Sequence, residues 1–168
     1  MWLHPQRVFL FFVILWVLLF GCAQENKKHL KIGDQAPSFN VEAITGGQVS
    51  LEAYKGNPVI LRFWSTDCKY CRADTPIFNQ YFDEYKGKGL KVVYINTAAD
   101  NAGEVKDFIA DLDIQFPVVL DTGGKIAESY GVKIVPQTII LNPEHKIITG
   151  ILGGVSEAEL QELLGPFF

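Results

Sequence analysis

The stretch from Val59 to Pro76 sets the tightest limit on what this chain can fold into. Val59 to Trp64 is apolar and β-rich apart from Arg62, the pattern of a strand buried on both faces. It breaks at Ser65-Thr66-Asp67 and resumes as a helix from about Cys68 to about Lys86. Pro76 falls inside that helix and should kink it, because its ring removes one backbone bond. Cys68 and Cys71 then share the first helical turn, close enough for a disulfide. A helix N-terminus offers unpaired N–H groups and a partial positive charge. That field favours the thiolate, the nucleophile of disulfide exchange, over a free thiol with a pKa of about 8.5.

Other uses of Cys-x-x-Cys stand beside a redox pair. Half of a zinc site would need two further ligands, and Cys22, His4, His29 and His145 are scattered through the chain. A c-type haem attachment needs His after the second cysteine; Arg72 stands there. A structural disulfide closing so short a loop restrains the unfolded chain little.

The 168 residues read as one domain, and a hydrophobic fraction of 48% is ample for a core. A net charge of −4 with no basic run argues against nucleic acid. Arg7 is followed by an apolar run of about 13 residues, Val8 to Phe20; a spanning helix needs about 20. Residues 1–21 therefore read as a signal peptide. Leu19-Phe20-Gly21-Cys22 resembles the bacterial lipoprotein signal, with Phe20 bulkier than usual. The resemblance implies cleavage before Cys22, a lipid on its sulfur, and a place on the extracytoplasmic face of a bacterial membrane. An ordinary secretory signal or an uncleaved anchor are the alternatives, and each would export the domain to an oxidising compartment. Residues 22–30 are polar and read as a flexible tether; 31–168 form the domain. With Cys22 lipidated, Cys68 and Cys71 are the only internal pair.

Ala36 to Ala43 and Gln48 to Leu51 alternate around Thr45-Gly46-Gly47, which predicts a hairpin. Strands follow at Val59–Trp64, Leu90–Asn96, Pro117–Leu120, Pro136–Leu141 and Lys146–Leu152. Phe78, Tyr81, Phe82 and Tyr85 form the buried face of the long helix. Asn101-x-x-Glu104 and Ser156-x-x-Glu159 are capping boxes that open helices; Gly124 to Tyr130 is a short helix. The turn Asn142 to His145 predicts a solvated His145. The order predicts an α/β domain: a central mixed sheet flanked by helices, with an N-terminal β-hairpin.

Phe63-Trp64-x-x-x-Cys68-x-x-Cys71, Pro76 and Val135-Pro136-Gln137-Thr138 together resemble the thioredoxin superfamily. The leading hairpin, the insertion from Asn101 to Leu112 and Phe116-Pro117-Val118-Val119-Leu120-Asp121 resemble its exported TlpA/ResA branch. The match covers nearly all of Leu30 to Leu164. It implies a thioredoxin-like fold and a thiol-disulfide oxidoreductase with no cofactor beyond a redox-active Cys68–Cys71 disulfide, and no metal. Cys68 would be the attacking thiol and Cys71 the buried resolving thiol. Pro136 would follow a cis bond, and Val135 would offer backbone groups to substrate, with Lys69 and Tyr70 also on the docking surface. Asp74 stands where cytochrome-maturation members carry an acid, usually Glu, that takes a proton from the resolving cysteine. The implied partners are disulfide-bearing exported proteins such as apocytochrome c, a membrane thiol-transporting electron donor, and the bilayer through Cys22. The domain is expected to be a monomer.

The chain departs from that family in three places. Asp67 replaces the usual Trp before the first cysteine, and its charge opposes the thiolate. Lys69-Tyr70 replaces the usual x-Pro pair, and Lys69 can offset Asp67. Arg62 stands where thioredoxin buries an acid, and should pair with Asp74 or another carboxylate. Two rival functions share the fold. A peroxiredoxin-like peroxidase would use Pro-x-x-x-Thr-x-x-Cys, where this chain has Leu61 and Ser65, and a later arginine, where none follows Arg72. A copper-binding assembly factor would use Cys-x-x-x-Cys and a distant histidine.

Overall fold

The computed structural model describes residues 30–97 and 100–168. The expected signal peptide, Cys22 and all but the last residue of the expected tether lie outside the described residues. Among the described residues, no helix is long and apolar enough to cross a membrane.

Seven strands form among the described residues: β1 Asn40–Glu42, β2 Gln48–Ser50, β3 Val59–Trp64, β4 Lys91–Asn96, β5 Val118–Leu120, β6 Gln137–Leu141 and β7 Ile147–Leu152. Four α-helices accompany them: α1 Lys69–Tyr85, α2 Ala102–Asp111, α3 Lys125–Ser129 and α4 Glu157–Leu164. β1 and β2 make the expected hairpin. The main sheet runs β5-β4-β3-β6-β7. β4 is parallel to β3 and β5, whereas β6 is antiparallel to β3 and β7.

All six residues of β3 are buried, because both faces of the sheet are covered. Strand side chains alternate faces, and β3 divides accordingly. Ile60 and Trp64 join Phe78, Tyr81 and Tyr85 of α1, with Phe108 of α2 and Leu160 and Leu164 of α4. Val59, Leu61 and Phe63 join Val49 and Leu51 of the hairpin region, and Ile126, Ala127 and Tyr130 around α3. By the same period, Arg62 lies on the face covered by α1. Phe82 is only half-buried and stands edge-on to Phe116, with ring centroids 5.5 Å apart. Helix α1 continues through Pro76 as one 17-residue element.

Two features differ from the sequence expectation. The alternating run Ala36 to Ala43 yields only a three-residue strand. Gln35 bridges Lys146 at the start of β7, and Ala43 bridges Val119 of β5, so this segment crosses the sheet from one edge strand to the other. Four inter-strand gaps of about 4.8 Å amount to roughly 19 Å, and eight extended residues reach roughly 26 Å. The crossing closes part of both edges, which exposed strands would otherwise leave open to other chains. His145 is the second correction: it is buried, at 2% exposure, with φ 59°. The crossing segment covers its turn, for Ala36 N–H and the Gln35 side-chain amide both donate to the His145 carbonyl, at 2.9 and 3.2 Å.

Both capping boxes form, at Asn101/Glu104 and Ser156/Glu159. The short α3 has no side-chain cap at Gly124. Instead the buried Asp121 carboxylate accepts the N–H groups of Ile126 and Ala127, at 3.0 and 2.8 Å. Losing a helix-start acceptor costs about 0.5–2 kcal/mol, and Asp121 serves two donors out of reach of water. Asp121→Ala is therefore expected to fall in the upper half of that range. Urea unfolding should show a lower midpoint at unchanged slope; an unchanged midpoint would mean that the two N–H groups find other acceptors.

Candidate active site

β3, β4 and β5 are parallel, so their C-terminal ends share one edge of the sheet, where α/β proteins place their sites. Ser65 to Asp67 turn the chain from β3 into α1. Hydrogen bonds from several sides fasten that turn. Thr97 N–H donates to the Trp64 carbonyl at 3.0 Å. Ser65 Oγ donates to Asp67 Oδ1 at 2.6 Å. Asp100 Oδ2 accepts from Thr66 N–H at 2.8 Å and from the Asn96 amide at 2.7 Å. Asp100 was not legible as a site residue, because its role depends on β3 and β4 being parallel neighbours.

Cys68 is the N-cap of α1, and its Sγ accepts the Cys71 N–H at 3.1 Å. Here the favourable field of a helix start takes the form of a specific donor on the sulfur. Cys68 and Cys71 form a disulfide with Cα atoms 5.2 Å apart. Cys68 is half-buried and Cys71 buried, so the residue that the resemblance makes the attacking thiol is the more exposed of the two. Lys69 and Tyr70 are exposed, Tyr70 at 70%.

The Val135–Pro136 peptide is cis. Because Gln137 pairs with Phe63, Pro136 comes beside Trp64, at the same end of the sheet as the disulfide. Its carbonyl accepts from Gly153 N–H at 2.9 Å. Val135 is half-buried and borders an open groove of about 860 Å³. Thr97, Tyr130, Lys133 and Gln137 also line this groove. Ile134, 63% exposed, precedes Val135; sequence reasoning did not single it out.

Asp74 is buried one helical turn after Cys71, on the same helix face by its spacing. Arg62, the expected partner, reaches it: Nη2 donates to Asp74 Oδ2 at 2.5 Å. Val155 N–H donates to the same oxygen at 3.1 Å. Arg62 Nη1 donates to Thr138 Oγ1 at 2.7 Å and to the Gly153 carbonyl at 3.1 Å. Asp74 Oδ1 and Arg62 Nε are buried without a hydrogen-bond partner among the described residues. Burial pushes the Asp74 carboxyl above its usual range; the Arg62 charge and the Val155 N–H pull it partly back. Burial also lowers the Arg62 pKa, against the pull of Asp74, but a guanidinium stays charged in proteins.

Residues 32–149 match the AhpC/TSA family. The chain belongs to that family. It is a thiol-disulfide oxidoreductase with a thioredoxin-like fold. The oxidoreductase is 32% identical over 163 residues to the thiol-disulfide oxidoreductase ResA of Bacillus cereus, spanning 92% of this chain and 94% of the relative. It is 28% identical over 166 residues to ResA of Bacillus subtilis, spanning 95% and 92%. Among solved structures, the Chlorobium tepidum protein assigned as thiol:disulfide interchange protein DsbE superposes with a TM-score of 0.76 at 33% identity, covering 83% of this chain and 99% of that one. StoA of Bacillus subtilis superposes with a TM-score of 0.67 at 28% identity, covering 76% and 96%.

His145 lies at the other end of the sheet from this disulfide. It precedes β7, whose first residue pairs with Leu141, and Leu141 pairs with Val59 at the start of β3. The length of β3, roughly 20 Å at about 3.3 Å per residue, separates it from Cys68. His145, buried rather than solvated, is thus remote from Cys68.

Proposed function

We propose that this protein is a membrane-tethered, extracytoplasmic reductase of disulfides in exported proteins such as apocytochrome c. The single observation that carries the redox reading is the disulfide at the start of α1, with the accessible Cys68 capping the helix and Cys71 buried behind it. Cys68 thiolate attacks one sulfur of a substrate disulfide, and a Cys68–substrate bond forms as the substrate bond breaks. Cys71 thiolate then attacks Cys68, the second substrate thiolate leaves and takes up a proton, and the Cys68–Cys71 bond remains. Substrate gains two electrons and the enzyme loses two; a membrane thiol-transporting donor restores the dithiol. In this reading Pro136, Val135, Lys69 and Tyr70 dock the substrate chain.

Asp74 acts as the base that receives the Cys71 proton. A buried thiol has a raised pKa and is a poor nucleophile until it is deprotonated, and a carboxyl whose own pKa burial has raised is better matched to it. Export and anchoring rest on the leader and on a lipid at Cys22. The substrate class rests on the resemblance to the TlpA/ResA branch, together with an acid beneath the dithiol. The peroxidase reading gains no support from geometry: Leu61 and Ser65 stand in place of its Pro and Thr, and Leu61 is buried in the core opposite α1.

Cys68→Ser is expected to abolish reduction of a Cys-x-x-Cys-His disulfide peptide, while Cys71→Ser accumulates the mixed disulfide, seen on non-reducing gels. Equal trapping by both variants would contradict the assigned roles. Asp74→Asn should slow resolution of a Cys68 mixed disulfide about a hundredfold, the usual worth of a general base, and flatten its pH dependence. A wild-type rate and profile in stopped flow would remove Asp74 from the mechanism. Mass spectrometry of the mature protein should find a lipid on an N-terminal Cys22; an unmodified, freely soluble chain would refute the tether.

A further inference from the structure

Arg62 is fully buried on a strand buried on both faces, and its guanidinium reaches three other elements. Nη1 meets Thr138 of β6 and the Gly153 carbonyl after β7, Nη2 meets Asp74 of α1, and the Phe78 ring lies 5.1 Å from the guanidinium carbon. The two donors to the Asp74 side chain, Arg62 and Val155 N–H, fall on the same oxygen, Oδ2. Oδ1 is buried and has no donor among the described residues. One oxygen is held and the other is an unengaged acceptor.

We propose that Arg62 is a positioning residue for the resolving step: it grips Asp74 by Oδ2, keeps it anionic, and leaves Oδ1 to accept the Cys71 proton. This rests on the reading of Asp74 as the base. The groups acting on Asp74 are Arg62 from β3, the neutral Tyr94 hydroxyl from β4, Val155 N–H before α4 and its own backbone N–H; Cys71 precedes it by one turn of the same helix. Arg62 supplies the one positive charge among them. In the step itself, the Cys71 S–H bond breaks and its proton passes to Oδ1. The thiolate forms the Cys68–Cys71 bond as the Cys68–substrate bond breaks, and the substrate sulfur leaves with the electron pair. Without the Arg62 charge, burial of Asp74 is unopposed, the carboxyl holds its proton to higher pH, and resolution waits for more alkaline conditions. Lysine keeps the charge but lacks the planar fork that reaches Thr138, Gly153 and Asp74 together.

The test compares wild type, Arg62→Gln, Arg62→Lys, Asp74→Asn and the Arg62→Gln/Asp74→Asn double variant in the full chain. One readout is the pH profile of Cys68 mixed-disulfide resolution by stopped flow. The other is the carboxyl titration of Asp74 in the dithiol form by carbon-13 NMR. Arg62→Gln should move both midpoints up by about one to three pH units, and Arg62→Lys should move them up by less. The double variant should behave as Asp74→Asn. If Arg62→Gln does not fold, Arg62→Lys decides, since its Asp74 midpoint must still exceed that of wild type. An unmoved Asp74 midpoint, with resolution still dependent on Asp74, overturns the role of Arg62 and spares the base. A moved midpoint with resolution indifferent to Asp74→Asn overturns the base reading, and with it the resolving-step role of Arg62.

Discussion

A guanidinium in the centre of a five-stranded sheet has no route to water. Removing an ion from water costs several kcal/mol even after the protein relaxes, so the elements around Arg62 must supply what solvent would have given. They do so from four directions: a carboxylate on α1, a hydroxyl on β6, a carbonyl after β7 and an aromatic face. That requirement ties α1 to β3 at Asp74. Asp74 and Cys71 lie one turn apart, so the ion pair also sets which face of α1 turns inward and which cysteine it buries. A buried pair of this kind is weak evidence for added stability. Its consequence here is geometric, because it fixes helix rotation relative to the sheet directly beneath the reactive sulfurs.

The outer end of α1 is organised by backbone donors. Cys68 takes the capping position that Ser, Thr, Asp or Asn fills in most helices, and its sulfur receives the Cys71 N–H. The turn that delivers it is held from β4, through Asp100 and Asn96, and not from α1 itself. The Cys68 sulfur therefore sits on a loop anchored to the rigid sheet on one side and on the first turn of a long helix on the other. The Cys71 sulfur is carried by the helix alone.

What was legible in the sequence is what local signals encode. Five apolar positions broken by one arginine announce β3, and period two then places Arg62 with Ile60 and Trp64 on the α1 face. Asn101/Glu104 and Ser156/Glu159 announce their helices through side chains that cap within one turn. What was not legible depends on segments distant in sequence. Alternation from Ala36 to Ala43 reports two faces but cannot say that the strand's neighbours change along its length, from Lys146 at one end to Val119 at the other. The same crossing buries His145, whose turn-like sequence carries no trace of the chain that covers it. Asp100 was missed for a related reason: an acid after one strand reads as solvated until the topology sets it against the turn that follows another.

The site thus divides into two layers that meet at the disulfide. Outside it, Asp67, Lys69, Tyr70 and Ile134 are exposed, and the charges among them act through solvent, where a pair contributes at most about 1 kcal/mol. Beneath it, Arg62, Asp74, Thr138 and Val155 are buried, and a charge in such surroundings acts several times more strongly at the same distance. Changes in the outer layer therefore leave the field at Cys71 nearly unchanged. Changes in the inner layer alter that field and are invisible from the surface. In the proposed mechanism the departures at Asp67, Lys69 and Tyr70 therefore bear on partner choice, whereas the departure at Arg62 bears on the chemistry.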